Sequence, residues 1–129
     1  GQKIEVVSDY FLTGGKSLHM MNGNGKVLSI VQYCTFKPNA KYVLSWSAKT
    51  RLSGTGGLAA QILFGDPAGT SLIKPNPAIS GNNNWINACI EFTTPTDAGK
   101  GEKKPQVAIG IFHADGEAWI DNVRLIEVQ

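Results

Sequence analysis

Gly116-Glu117-Ala118-Trp119-Ile120-Asp121-Asn122-Val123-Arg124-Leu125-Ile126-Glu127-Val128 decides the reading of this chain. Its second half alternates. Val123 and Leu125, with Ile126 or Val128, can point to a core, while Asn122, Arg124 and Glu127 point to water. A period of two is the mark of a strand with one buried face. Asp121 stands where the strand enters the core, beside Trp119 and Ile120. A carboxylate there must be paired, hydrogen-bonded or metal-bound, because burying it bare is too costly. The stretch therefore reads as the closing central strand of an all-β sandwich.

Working outward, the rest of the chain repeats this pattern. Lys3 to Ser8, Ser17 to Met21, Val27 to Phe36, Tyr42 to Thr50, Leu58 to Phe64, Trp85 to Thr94 and Gln106 to His113 each read as strands. Turns at Thr13–Gly15, Asn22–Gly25, Pro38–Lys41, Ser53–Gly57 and Ala114–Gly116 separate them. Fifteen glycines and six prolines supply these turns. The proline-rich segment 65–84 reads as a long connection with one short strand at Ser71 to Lys74, and 96–104 as a polar loop open to proteolysis. No segment has helical periodicity and no linker divides the chain. The expectation is one domain over residues 1–129, a β-sandwich jelly roll of about eight antiparallel strands in two sheets.

Composition narrows the function. The 129 residues are 42% hydrophobic and 17% charged, as expected of a folded domain. A formal charge of +2 is too weak to suggest nucleic-acid or anionic-membrane partners. No apolar run is long enough to span a bilayer, and no cationic start leads into an apolar segment of the secretory type. Cys34 and Cys89 differ in strand parity, which disfavours a bridge, and two cysteines at this spacing are no zinc signature.

Catalytic constellations are missing from the sequence. His19 and His113 have no metal-ligand spacing. There is no nucleophile elbow, phosphate-binding loop or dinucleotide fingerprint, and nothing pairs two acids for glycoside hydrolysis. Binding has more to offer. Ser45 and Ser47, Ala59 and Gln61, then Gln106, Ala108 and Gly110 occupy alternate strand positions that usually carry Lys, Glu or Thr. Small residues and amides make a shallow uncharged groove, suited to a neutral polyhydroxylated ligand with aromatic rings against its sugar faces. Tyr33 has opposite parity to Cys34 and Phe36 and is available for stacking. Trp46 is a core residue by pattern. Trp119 stands between a core role and a sugar platform.

The order Gly14-Gly15-Lys16-Ser17-Leu18, Gln32 to Phe36, Lys37-Pro38-Asn39-Ala40-Lys41-Tyr42-Val43-Leu44-Ser45, Trp85 with Phe92-Thr93-Thr94-Pro95, Val107-Ala108-Ile109 and Trp119-Ile120-Asp121-Asn122-Val123-Arg124-Leu125 resembles the jelly-roll carbohydrate-binding modules of families 4, 9, 16 and 22. The resemblance runs over about positions 14 to 128. It implies a non-catalytic, monomeric module of a larger secreted or cell-surface enzyme, holding one glycan chain (β-glucan, glucomannan or xylan type) in a concave-sheet cleft. Gln106 and Gln61 match ligand-binding positions of similar modules, while a second glutamine position is Gly110 here. Trp119, Tyr33, Tyr10 and Asn87 complete the candidate set. Tyr10 is the nearest substitute for an aromatic in the family's opening segment. The resemblance also implies a structural calcium at Asp121 with the Lys16 carbonyl. The alternative is an adhesive or structural sandwich, as in a phage tail or surface protein, with no sugar site.

Overall fold

The computed structural model describes residues 2–8 and 14–129. Seven strands are found among them: β1 (Lys3–Val7), β2 (Ser17–Asn22), β3 (Val27–Tyr33), β4 (Lys41–Leu63), β5 (Ser71–Ile79), β6 (Asn82–Thr93) and β7 (Gln106–Glu127). Every pairing is antiparallel. The chain is an all-β jelly-roll sandwich.

Two strands build both layers. The first half of β4 pairs with β6 on one side and with the second half of β7 on the other; β2 and β1 extend this sheet from β7. We call it layer A. The second half of β4 pairs with β5 and with the first half of β7, which pairs with β3. This is layer B. The expected turns at 53–57 and 114–116 are therefore not strand ends. They are where β4 and β7 bend together from one layer to the other. Gly54 lies opposite Ala114 and Gly57 opposite Phe112, so two residues of β4 face His113 alone, a bulge of the kind that turns a sheet corner. A Cβ on Gly56 would lie 1.8 Å from the Phe112 carbonyl oxygen, so the corner closes only around glycine.

The two layers enclose one core. Even-numbered residues of β4 are buried on both sides of the corner: Leu44, Trp46 and Ala48, then Leu58, Ala60 and Ile62. Ile90 and Phe92 of β6, Met20 of β2 and Ile109, Ile111 and Ile120 of β7 join them. One end is closed by an aromatic cluster in which Phe36 meets Tyr42, Phe92 and Phe64 at centroid distances of 5.1, 5.7 and 6.1 Å. β5 runs to Ile79, well past the short strand expected there. Its Pro75 and Pro77 are tolerated because β5 is an edge, where a missing N–H breaks no ladder. Both thiols are free; Cys34 is half-buried, which pushes its pKa up, and Cys89 is exposed.

Candidate functional site

The outer face of layer B carries the most informative surface. Register sets its rows. Tyr33 of β3 lies opposite Gln106 of β7, which lies opposite Leu63 of β4. One step along, Val31, Ala108, Gln61 and Ile73 form the next row, and Ser29, Gly110 and Ala59 the one after. Residues two apart on a strand share a face, so Tyr33, Gln106 and Gln61 all point outward together. Gln106 and Gln61 are diagonal neighbours, about 7–8 Å apart by strand geometry.

The floor of this face is low and closely packed. A Cβ on Gly110 would lie only 2.6 Å from the Ser29 Cβ, where a flat antiparallel pair leaves roughly 4.5–5.5 Å. The same Cβ would lie 2.5 Å from the Leu28 carbonyl oxygen, so the β3 backbone itself comes close to β7 and leaves no room for a side chain at this point of the floor. Ala59 and Ala108 are 0% and 4% exposed although they point away from the core, as expected for a floor shaded by higher walls. Tyr33 stands on the rim, 64% exposed. Tyr33, Gln106 and Leu63 line an open groove of about 490 Å³ with Lys103 and Lys104. Neither glutamine amide is engaged by another described residue. Each retains donors and acceptors for a ligand.

The other candidates lie elsewhere. Ser45, Ser47 and Asn87 belong to layer A, because the corner in β4 carries the strand into layer B only afterwards. The three mild strand faces are thus two surfaces, not one. Asn87 accepts a hydrogen bond from Ser47 Oγ at 2.8 Å through its Oδ1. Trp119 is also on the outer side of layer A, but only 3% of it is exposed. His19 stacks on its ring at 4.9 Å, and the Arg51 guanidinium lies 5.6 Å over it. That ring is covered and shares no surface with Tyr33. His19 in turn sits between Glu5 and Glu117, 3.2 Å from each, tying β1 to β7. Tyr10 lies outside the described residues.

Asp121 is half-buried and its Oδ1 accepts the Asn122 N–H at 2.8 Å. Leu18 lies opposite Ile120, which brings the start of β2, just after Lys16, alongside Asp121. Among the described residues no three His, Cys, Asp or Glu side chains gather as a metal set. A cation at Asp121 would draw on that one carboxylate and on carbonyl oxygens such as that of Lys16.

Lys103 and Lys104 had no part in the sequence-based candidate set. Read in sequence, their segment is a polar tip. In the fold it is pinned on both sides: Gly99 N–H donates to Phe64 O at 3.0 Å, Gly101 N–H to Gly65 O at 2.7 Å, and Cys34 N–H to Pro105 O at 3.1 Å. The 65–70 turn beneath it is held by Asp66, whose Oδ1 accepts the Thr70 N–H at 2.7 Å and whose Oδ2 accepts the Thr70 hydroxyl. The Thr70 hydroxyl bond is the main cause that lowers the Asp66 pKa below its ordinary 3.8. A carboxylate with a lowered native pKa adds stability above its unfolded pKa and loses it as pH falls through the native one. Asp66→Asn should therefore melt below wild type at pH 7, with the gap closing below about pH 3.8. Thermal melts across pH check this; a gap independent of pH would assign the loss to packing.

No protein-family profile matches the sequence. The chain is 29% identical over 133 residues to the tRNA(Glu)-specific nuclease WapA of Bacillus subtilis subsp. natto and, equally, to the tRNA nuclease WapA of Bacillus subtilis strain 168. Each match takes in 95% of this chain but spans only 6% of the length of the relative. Among solved structures, a family 16 carbohydrate-binding module superposes with a TM-score of 0.75 at 20% identity, covering 98% of this chain and 87% of that one. The chain has the fold of the jelly-roll carbohydrate-binding modules. The C-terminal family 22 module of Clostridium thermocellum Xyn10B gives a TM-score of 0.68 at 16% identity, over 98% of this chain and 82% of that one. A CBM4 structure gives 0.67 at 16%, over 97% and 78%.

Proposed function

We propose that this domain is a non-catalytic module that binds a polysaccharide chain of the β-glucan, glucomannan or xylan type along the outer face of layer B. The observation that carries this reading is the convergence of Tyr33, Gln106 and Gln61 on one face whose uncharged floor is Ala59, Ala108 and Gly110. The aromatic ring supplies an apolar face for a sugar ring, and the two amides supply hydrogen bonds to hydroxyls. The fold shared with family 16, 22 and 4 modules supports the same ligand class. The match to a small part of much longer proteins supports a place as one unit of a larger polypeptide; in this reading that polypeptide is secreted or on the cell surface, and the domain holds an appended unit such as a glycoside hydrolase near its substrate. The nuclease activity in the relatives' names belongs to proteins of which this chain matches one small part.

Affinity electrophoresis tests the reading. Migration should be retarded in gels containing soluble β-glucan, glucomannan or xylan. Unchanged mobility of the folded domain against a broad polysaccharide panel would leave the adhesive or structural sandwich instead.

A structural calcium at Asp121 and the Lys16 carbonyl belongs to the same proposal. Calcium takes six to eight oxygens, so backbone carbonyls must supply most of them. Chelation should lower the melting temperature and added calcium restore it by mass action. Superimposable melts with chelator and with excess calcium would remove the ion.

A further inference from the structure

We infer that the groove at the Gln106 end of this face selects a polysaccharide that carries anionic groups, either carboxylates or phosphates. The inference rests on the glycan-binding reading above and sharpens its substrate class.

Lys103 and Lys104 line the same groove as Tyr33, Leu63 and Gln106, and no acidic residue lines it. Lys104 also reaches the adjoining hollow beside Tyr33 and Phe36, whose wall has no acid, while both lysines border a further hollow on their other side with Asp66 and Glu102. Three other lysines are paired: Lys3 with Glu5, Lys37 with Glu127 and Lys41 with Glu91, at 2.8–3.2 Å. Lys103 and Lys104 form no ion pair with any described residue. Two adjacent cations at the end of a groove that itself holds no acid raise the local concentration of anions there.

Their backbone is fixed. Gly99 and Gly101 donate to the carbonyls of Phe64 and Gly65, and Pro105 accepts from Cys34. A Cβ on Gly101 would lie 2.5 Å from the Asp66 carbonyl oxygen, so the loop lies directly on the 65–70 turn. Cations presented from an ordered loop lose less entropy on binding than cations on a free tip. The uncharged floor meets the sugar rings, and the lysine pair at its end meets their charged substituents. A neutral chain would leave these two charges unused.

The test holds the backbone of the ligand constant and varies its charge. Binding is measured to hydroxyethyl cellulose, carboxymethyl cellulose and phosphorylated cellulose of matched substitution, with polyaspartate and tRNA as sugar-free and nucleic-acid polyanions. The domain should bind one or both charged celluloses at least about tenfold tighter than the neutral one, and the better of the two identifies the anion. That preference should collapse between about 0.05 and about 0.5 M sodium chloride, as the screening length shortens. Lys103→Gln with Lys104→Gln should remove about tenfold on the charged polymers and nothing on hydroxyethyl cellulose. Equal, salt-insensitive binding to charged and neutral celluloses would overturn the inference while leaving the glycan face intact. Binding to polyaspartate or tRNA as tight as to the charged celluloses would also overturn it, making the lysine pair a general polyanion contact. No binding to any cellulose, xylan or glucomannan would remove both readings.

Discussion

Gly56→Ala should destabilise the domain by about 3 kcal/mol or more, and the variant should accumulate poorly as folded protein. A Cβ at this position would lie 1.8 Å from the Phe112 carbonyl oxygen and 2.9 Å from that of His113. Both are backbone atoms of the neighbouring strand, so no side-chain rotation relieves the overlap. The corner must open, and with it the junction through which β4 and β7 join layer A to layer B. Gly116 repeats the constraint across the corner: its φ is +126° and its Cβ would meet the Arg51 carbonyl oxygen at 2.1 Å. Gly23 is the control, since a Cβ there meets nothing within 4 Å and Gly23→Ala should be close to neutral. Denaturant melts of the two variants decide it. A Gly56→Ala midpoint equal to that of wild type would mean that the strands do not approach each other as described.

Gln106→Ala should weaken glycan binding by roughly 1 to 3 kcal/mol, the cost of leaving polar groups of a bound sugar unpaired. The melting temperature should barely move. Gln106 lines the groove beside Tyr33, points away from the core, and its amide is bonded to no described residue. Removing it therefore takes nothing from the packed interior. Isothermal titration beside thermal melts separates the outcomes. Wild-type affinity would move the ligand off this face, and a large loss of stability would make the side chain structural.

Alternation was enough to read much of this fold. Tyr42, Leu44, Trp46 and Ala48 point inward because the strand period is two, and a run that alternates over eight residues has one face to bury. The outward direction of Tyr33, Gln61 and Gln106 follows from the same parity. Strand continuity was not legible. Ser53–Gly57 and Ala114–Gly116 carry the residues of turns, and glycine serves a hairpin and a sheet corner equally well. Only the partner strand distinguishes the two, because a bend in β4 survives when β7 bends beside it and keeps the ladder paired.

Local pattern also determined which residues are uncharged and outward, but not which of them share a surface. That depends on register and on the side of the corner where each lies. Ser47 and Asn87 fall in layer A, Gln61 and Gln106 in layer B, and Trp119 lies beneath His19 and Arg51. The lysine loop shows the limit most clearly. In sequence, 96–104 is a polar tip. Its place beside the groove comes from hydrogen bonds to Phe64 and Gly65, some 35 residues earlier in the chain, and to Cys34, still farther back. Contacts of that range leave no local periodicity, because they form only once the two sheets have closed on one another.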